Sequence, residues 1–193
     1  NLGNQSGLEE HLLPGLEPNG VPKVLTNTVH PFSYNSLDQL ETIFSSYKLA
    51  AVKMEVQRNI QPKPGFLEAV RKLCTLHGVV LIFDECTSGF RETYGGLHLK
   101  HKIYPDMAIF GKALGNGYAI TSIIGIRSIM EAAQSTFISS TFWTERIGPT
   151  AALKTLEMMN REKSWDKITS TGLKLRHSWQ DLAKKQTINF LCP

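Results

Sequence analysis

The alternation of apolar, strand-like runs with helix-like segments restricts the fold of this chain more than any other feature. The segment "GFLEAVRKLCTLHG" (65–78) has a helical period, and the continuous β-branched and apolar run "VVLIFDE" (79–85) follows it. Such a run is typical of a strand that is buried on both faces. Further strands are predicted in "AAVKMEV" (50–56), "DMAIFG" (106–111) and "AITSIIGI" (119–126). Strands that alternate with helices predict an α/β fold with a largely parallel sheet and flanking helices.

The rest of the chain is predicted to consist of loops and helices. The first 35 residues are rich in Gly, Pro and Asn and predict loop, with one short strand at "KVLT" (23–26). Helices are predicted in "NSLDQLETIFSSY", with Ser36 as the N-cap, near "SIMEAAQ", and in "GPTAALKTLEMMNR" and "WDKITSTGLKLRHSWQDLAKK". In the 65–78 helix the apolar face is expected to contain Phe66, Ala69, Val70, Leu73 and Leu76.

Composition argues against several classes of protein. A length of 193 residues and 41% hydrophobic residues allow a globular core. The formal net charge is +4, but charges of both signs are interspersed, so neither nucleic acid nor a membrane surface is an expected partner. The most basic run, "HLKHK" (98–102), is interpreted as a solvated loop. No apolar stretch approaches the roughly 20 residues of a membrane span, and no signal-peptide pattern opens the sequence.

Cysteine and histidine spacing gives no sign of a metal site. The three cysteines, Cys74, Cys86 and Cys192, lie far apart, and the histidines form no recognisable ligand pair. This usage is typical of a reducing compartment, so a cytoplasmic location is expected.

Two polar residues at the ends of predicted strands could carry chemistry. Asp84 ends the "VVLIFD" run, and Lys112 follows "DMAIFG", 28 residues later. Open α/β sheets bind ligands at the carboxyl ends of their strands, so both side chains are expected at one edge. Asp84 could instead cap a turn, and a lone lysine is most often a solvated surface amine. As a pair, they predict a carboxylate with a cationic partner beside a partly desolvated, nucleophilic amine.

The segment "FGKALGNG" around Lys112 fits neither of the common phosphate loops. In a Walker A loop the lysine follows the second glycine, and "GNG" lacks the third glycine of a dinucleotide fingerprint. Gly111, Gly115 and Gly117 are expected to allow unusual backbone angles and close approach to a bulky ligand. With both phosphate-loop interpretations rejected, the Asp84–Lys112 pair suggests pyridoxal phosphate.

A cluster of hydroxyl side chains precedes the helix that begins near residue 148. It consists of Ser139, Ser140, Thr141 and Thr144. Hydroxyls in this position either cap the helix or bind phosphate oxygens together with backbone amides. Both interpretations stay open at the level of sequence.

Taken in order, four motifs resemble the class III aminotransferases, in particular the branch around glutamate-1-semialdehyde aminomutase. They are "PKPGFLEAVRKLC", "LIFDECTSGFR", "PDMAIFGKALGNGYAITSIIG" and "STFWTERIGPTAAL", within residues 15–160. The resemblance implies the central part of the large domain of a fold-type I pyridoxal-phosphate-dependent transferase. It also implies a homodimer with shared active sites that transfers an amino group from a small-molecule donor to a carbonyl acceptor.

The resemblance assigns roles to individual residues. Asp84 matches the carboxylate that holds the pyridine nitrogen protonated, and Lys112 matches the lysine that forms a Schiff base with the cofactor and moves a proton. Thr141, with Ser140 beside it, matches the threonine that reaches the cofactor phosphate of the neighbouring subunit. Glu55 matches a glutamate at a strand end near the active site, although "VQRN" follows it here. Glu85, Gly89 and Arg91 match the rest of the motif, in structural roles.

The resemblance also predicts how the chain is organised. Residues 1–160 are expected to form part of the cofactor-binding large domain, and residues 161–193 a helical connection towards a C-terminal domain. The family's phosphate loop and its ring-stacking aromatic residue would precede Asn1. The expected activity is transamination or aminomutation of an amino acid, amino-aldehyde or keto-sugar. The alternative is a truncated, non-catalytic relative that acts as a fold fragment or interaction module.

Overall fold

The computed structural model describes residues 19–25, 27–57 and 59–188. Contacts divide the chain into two units, one that ends at Lys48 and one that begins at Leu49. In the first unit helix α1 (Leu37–Ser46) buries Leu40 and Phe44, as its apolar spacing predicts. Ser36 occupies the N-cap position of α1, as expected, but its side chain makes no capping hydrogen bond.

The strand predicted at 23–26 is wrong for its described residues. Lys23–Leu25 form a single 3-10 turn, closed by a hydrogen bond from the Leu25 amide to the Pro22 carbonyl oxygen (3.0 Å), and Thr26 lies outside the described residues. Pro22 favours a turn at this point, and Val24 is 85% exposed, so no burial against a sheet stabilises a strand here.

The second unit contains a four-stranded sheet in the order β1-β2-β3-β4. Its strands are β1 (Ala51–Met54), β2 (Val80–Asp84), β3 (Met107–Phe110) and β4 (Ser122–Gly125). The pairs β1–β2 and β2–β3 are parallel, and β3–β4 is antiparallel. The prediction of a largely parallel α/β sheet is therefore confirmed.

Helices connect and flank these strands. They are α2 (Phe66–His77), α3 (His98–His101), α4 (Arg127–Met130), α5 (Ile147–Glu162) and α6 (Ser164–Lys185). The helix α2 ends at Gly78, whose left-handed backbone (φ 64°) lets its amide bond the last carbonyl oxygens. No helix within the described ranges is long and apolar enough to cross a membrane.

The core lies around β2 and α2. Leu81 and Phe83 of β2 are fully buried, whereas Val80, Ile82 and Asp84 on the opposite face are only partly covered. The predicted burial of this strand on both faces is therefore met fully on one face and only in part on the other within the described chain. The predicted face of α2 also needs correction: its buried residues are Phe66, Leu67, Val70 and Cys74, and Leu76 is 74% exposed.

A second apolar cluster joins β3 to α5. Ala108, Phe110, Leu114 and Ala152 are buried together, and Phe90, Ile120 and Leu156 pack against them. At the start of α5 a Cβ on Gly148 would lie 2.7 Å from the carbonyl oxygen of Ala119. Glycine is thus what allows α5 to approach the chain after Lys112 so closely.

Candidate active site

The carboxyl ends of three neighbouring strands form one edge of the sheet. Asp84 is the last residue of β2 and pairs in register with Ile109 of β3, and Lys112 follows β3 after one residue. Glu55 directly follows the parallel strand β1 and is half-buried. The predicted placement of Asp84 and Lys112 at one edge is confirmed, and Glu55 ends the adjoining strand of the same edge.

Asp84 is an ionised carboxylate with both oxygens engaged. Its Oδ2 lies 2.9 Å from Nζ of Lys53 on β1, and its Oδ1 accepts a hydrogen bond from the Cys86 amide (3.1 Å). Partial burial alone would raise the pKa of Asp84, but the hydrogen bonds from Lys53 and Cys86 outweigh it and hold this pKa below its ordinary value. The bond from the Cys86 amide closes the turn that the sequence offered as an alternative role.

Lys112 begins a 3-10 turn (Lys112–Leu114) with a left-handed backbone. Its φ is +43°, a conformation that costs a non-glycine residue on the order of 1 kcal/mol. Its Nζ donates a 2.7 Å hydrogen bond to the Thr87 hydroxyl oxygen. The side chain is exposed rather than partly desolvated as predicted, because this turn lies at the rim of the sheet, where solvent reaches it.

The glycines after Lys112 serve the backbone in two different ways. Gly117 has a φ of +106°, as a turn glycine can. At Gly115, a Cβ would come within 2.1 Å of the Tyr118 carbonyl oxygen, so only glycine permits this close approach. The expectation of unusual backbone angles is thus met at Gly117, whereas Gly115 is required for space.

The residues Lys53 and Cys86 belong to this edge but were missed by the sequence analysis. Burial and the charge of Asp84 raise the pKa of the Cys86 thiol, while Lys112 and Lys53 oppose the rise. The thiol therefore lies within electrostatic range of all three charged side chains. The sequence could have pointed to Lys53, because it is the one charged residue inside the apolar run before Glu55.

Glu85 follows Asp84 in sequence and is fully buried. It accepts hydrogen bonds from the amides of Leu97 and His98 (both 2.9 Å), from Nδ1 of His98 (2.8 Å) and from the Ser88 hydroxyl. Burial alone would raise the pKa of Glu85, but these bonds, led by the one from His98, hold it below its ordinary value. The side chain ties the end of β2 to the start of α3, in keeping with the structural role expected for it.

The interpretation of 98–102 as a solvated loop is correct for the exposed side chains of Lys100 and Lys102, but it is wrong about the loop and about His98. Residues His98–His101 form helix α3, and the first of them, His98, is only 8% exposed. The buried carboxylate of Glu85 requires donors, and the ring and amide of His98 supply two of them. His98 is therefore buried, although it lies in a basic run, because it hydrogen-bonds Glu85, 13 residues earlier in the chain.

The hydroxyl cluster lies on the loop before α5. Thr141 is exposed, and the Ser140 hydroxyl accepts a 3.1 Å hydrogen bond from the Phe142 amide. The carboxylate of Glu145, not a hydroxyl, accepts the bonds from the first amides of α5, those of Ile147 and Gly148. The capping interpretation of the hydroxyls is therefore not realised, and their role toward a phosphate stays a prediction.

One cavity of the described chain is not lined by Asp84 or Lys112. It measures about 930 Å³ and is bounded by the turn after Lys112 and by helices α5 and α6. Arg91, Arg146 and Lys154 bring positive charge to its wall. The strand edge, rather than this cavity, holds the residues with reactive chemistry.

The mostly parallel sheet with its flanking helices superimposes on solved pyridoxal-phosphate-dependent transferases, so the chain has the α/β fold of these enzymes. Residues 45–191 match the family model described as aminotransferase class-III. The chain therefore belongs to the class III aminotransferase family.

Individual relatives agree with this assignment. The chain is 39% identical over 167 residues to the 3-aminobutyryl-CoA aminotransferase of Cloacimonas acidaminovorans (strain Evry), covering 80% of this chain and 40% of that protein. It superimposes on the FumI protein of Sphingopyxis sp. MTA144, in its PLP internal aldimine form, with a TM-score of 0.77 at 25% identity over 81% of this chain and 40% of the other. It superimposes on acetylornithine aminotransferase from Elizabethkingia anophelis with a TM-score of 0.73 at 27% identity. This match covers 83% of this chain and 42% of the other. The chain thus spans about 40% of the length of these relatives.

Proposed function

We propose that this chain carries the catalytic lysine of a pyridoxal 5'-phosphate-dependent aminotransferase. The observation that carries the proposal is the position of Asp84 and Lys112 at the ends of adjacent parallel strands. When bound, pyridoxal phosphate supplies an aldehyde that condenses with primary amines and a pyridine ring that withdraws electrons from the adduct. Retention of both residues supports this proposal over a non-catalytic fold fragment.

The side chains present fit this cofactor. Asp84 is an ionised carboxylate, the partner that a protonated ring nitrogen needs, and Lys112 is a primary amine that solvent and ligands can reach. The exposed hydroxyls of Ser140 and Thr141 would donate to phosphate oxygens, and Glu55 would stand beside the ring at the end of β1. Each of these roles is part of the proposal.

The protein's own contribution is to place one amine and to hold one charge. The Thr87 hydroxyl anchors Nζ of Lys112, and the left-handed backbone at Lys112 fixes the start of its side chain. Once deprotonated, this amine can attack a carbonyl carbon or carry a proton between neighbouring atoms. The hydrogen bond from the Cys86 amide keeps Asp84 oriented at the end of β2.

The proposed substrates are a small primary amine as donor and an aldehyde or ketone as acceptor. An amino acid, amino-aldehyde or keto-sugar satisfies this chemistry, as the aminomutase-like resemblance suggests. The 3-aminobutyryl-CoA aminotransferase relative supports a 3-amino acyl thioester as the first donor to test. Transamination and aminomutation would use the same Asp84 and Lys112.

We further propose a homodimer with shared active sites, in which Thr141 serves the partner's cofactor. Three exposed aromatic side chains, Phe137, Phe142 and Trp143, flank Thr141 and support an interface there. Residues 161–193 are proposed as the connection to a C-terminal domain, since α6 itself buries no residue. The free thiols of Cys74 and Cys86 support the proposed cytoplasmic location.

The function is tested by following the amino group itself. The full chain is loaded with pyridoxal phosphate and given a ¹⁵N-labelled amine donor and an unlabelled ketone acceptor. We expect ¹⁵N to appear in the acceptor with the wild-type chain and to be lost with Lys112→Ala, while Lys154→Ala on α5 behaves like wild type. Appearance of the label on a different carbon of the donor's own skeleton would indicate aminomutation, and transfer that survives Lys112→Ala would contradict the proposal.

A further inference from the structure

The ion pair between Lys53 and Asp84 is the feature of this edge that the proposed function leaves unexplained. Nζ of Lys53 lies 2.9 Å from Oδ2 of Asp84, on the neighbouring parallel strand. A cationic ring nitrogen at Asp84 would need the same carboxylate. Two cations therefore compete for one acceptor.

We propose that Lys53 is a positioning residue that acts as a placeholder cation: it holds Asp84 ionised and oriented until a protonated pyridine ring takes its place. This inference rests on the proposed function. It adds a residue that sets how strongly the site binds the ring.

The geometry of the strands explains why Lys53 can take this role. Lys53 pairs in register with Ile82, which lies on the same face of β2 as Asp84, so the two charged side chains are diagonal neighbours on one face. The Lys53 side chain is 58% exposed and that of Asp84 24% exposed. A long side chain that is mostly in solvent can leave its partner at little cost, whereas the strand end keeps Asp84 in place.

The other groups near Asp84 do not replace Lys53. Cys86 contributes its amide and a thiol, and a thiol has no positively charged form. Lys112 is engaged with Thr87. Among the described contacts of Asp84, Lys53 is thus the cation that pairs with it.

A first experiment measures the titration of the Asp84 carboxyl group in the absence of any cofactor. The carboxyl titration of Asp84 is followed by ¹³C NMR in the full chain, with assignment from the signal that Asp84→Asn removes. We expect Lys53→Met to move the titration midpoint to higher pH and Lys53→Arg to leave it near the wild-type position. An unchanged midpoint in Lys53→Met would overturn the proposal.

A second experiment measures how strongly Lys53 competes with a pyridine ring for Asp84. Pyridoxine 5'-phosphate carries the ring and phosphate but no aldehyde, so it binds without reacting with lysines. We expect Lys53→Met to bind it about two- to five-fold more tightly than wild type and Lys53→Arg to match wild type, the range that a partly exposed ion pair supports. Equal affinities, or no binding by any of the three proteins, would overturn the placeholder role. The proposed function is tested separately: it fails if the ¹⁵N transfer does not depend on Lys112.

Discussion

At the scale of single residues, the positions of Asp84 and Lys112 were predictable because each stands at the end of an apolar run that predicts a strand. Parallel strands bring their carboxyl ends to one edge whatever their exact register, so the pairing survives small errors in strand boundaries. The partners of these residues were not predictable in the same way. The contact between Lys53 and Asp84 depends on register and rotamer, and the exposure of Lys112 depends on how its turn lies at the rim.

The charge of Asp84 is expected to be essential for amino transfer. Asp84→Asn keeps the shape of the side chain but removes its negative charge, so a protonated ring nitrogen loses its partner. We expect the rate of ¹⁵N transfer to fall by at least about 100-fold. The matched control is Asp181→Asn on the exposed surface of α6, and a similar loss in that variant would show that the effect is not specific to Asp84.

At the scale of elements, the buried Glu85 joins β2 to α3 by long-range hydrogen bonds. Sequence periodicity reports which residues lie on one face of an element, but it carries no record of a partner 13 residues away. The basic run at 98–102 therefore looked like solvated surface. The structure shows that one buried carboxylate accepts hydrogen bonds from the start of this helix.

Replacing Glu85 by Gln should weaken the fold in a pH-dependent way. The pKa of Glu85 is lowered in the folded chain, so its ionised form adds stability above the ordinary glutamate pKa of about 4.3, and this stability is lost as the pH falls through the folded value. We expect Glu85→Gln to cost about 3 kcal/mol in urea unfolding near pH 7 and less at acidic pH. Glu157→Gln, a change at a solvent-exposed side chain, should leave the unfolding curve unchanged. A cost for Glu85→Gln that is the same at all pH values would contradict this account.

The close approach of α5 to the chain after Lys112 gives a second test at this scale. A Cβ at Gly148 would lie 2.7 Å from the Ala119 carbonyl oxygen, so Gly148→Ala should displace α5 and cost about 2 kcal/mol. Gly172→Ala in α6 meets nothing within 4 Å and should stabilise the helix by up to about 1 kcal/mol. Urea unfolding of both variants measures the difference, and equal effects would contradict the packing described for α5.

At the scale of the whole molecule, the exposed aromatic side chains around Thr141 predict self-association. Phe137 is 97% exposed, Phe142 74% and Trp143 68%, more apolar surface than one loop normally leaves in water. We expect light scattering to give the mass of a dimer for the full chain and of a monomer for Phe142→Asp. Leu76→Asp, equally exposed on α2, serves as the control. A wild-type monomer would contradict the shared-site arrangement.

Reductive trapping identifies the amine that binds pyridoxal phosphate, which we propose is Lys112. The full chain is incubated with the cofactor, reduced with borohydride and digested, and the modified lysine is identified by mass spectrometry. We expect one dominant pyridoxyl group on Lys112 that disappears in Lys112→Ala, with Lys53 and Lys154 carrying only background modification. Equal labelling of the exposed lysines, with no preference for Lys112, would contradict this proposal.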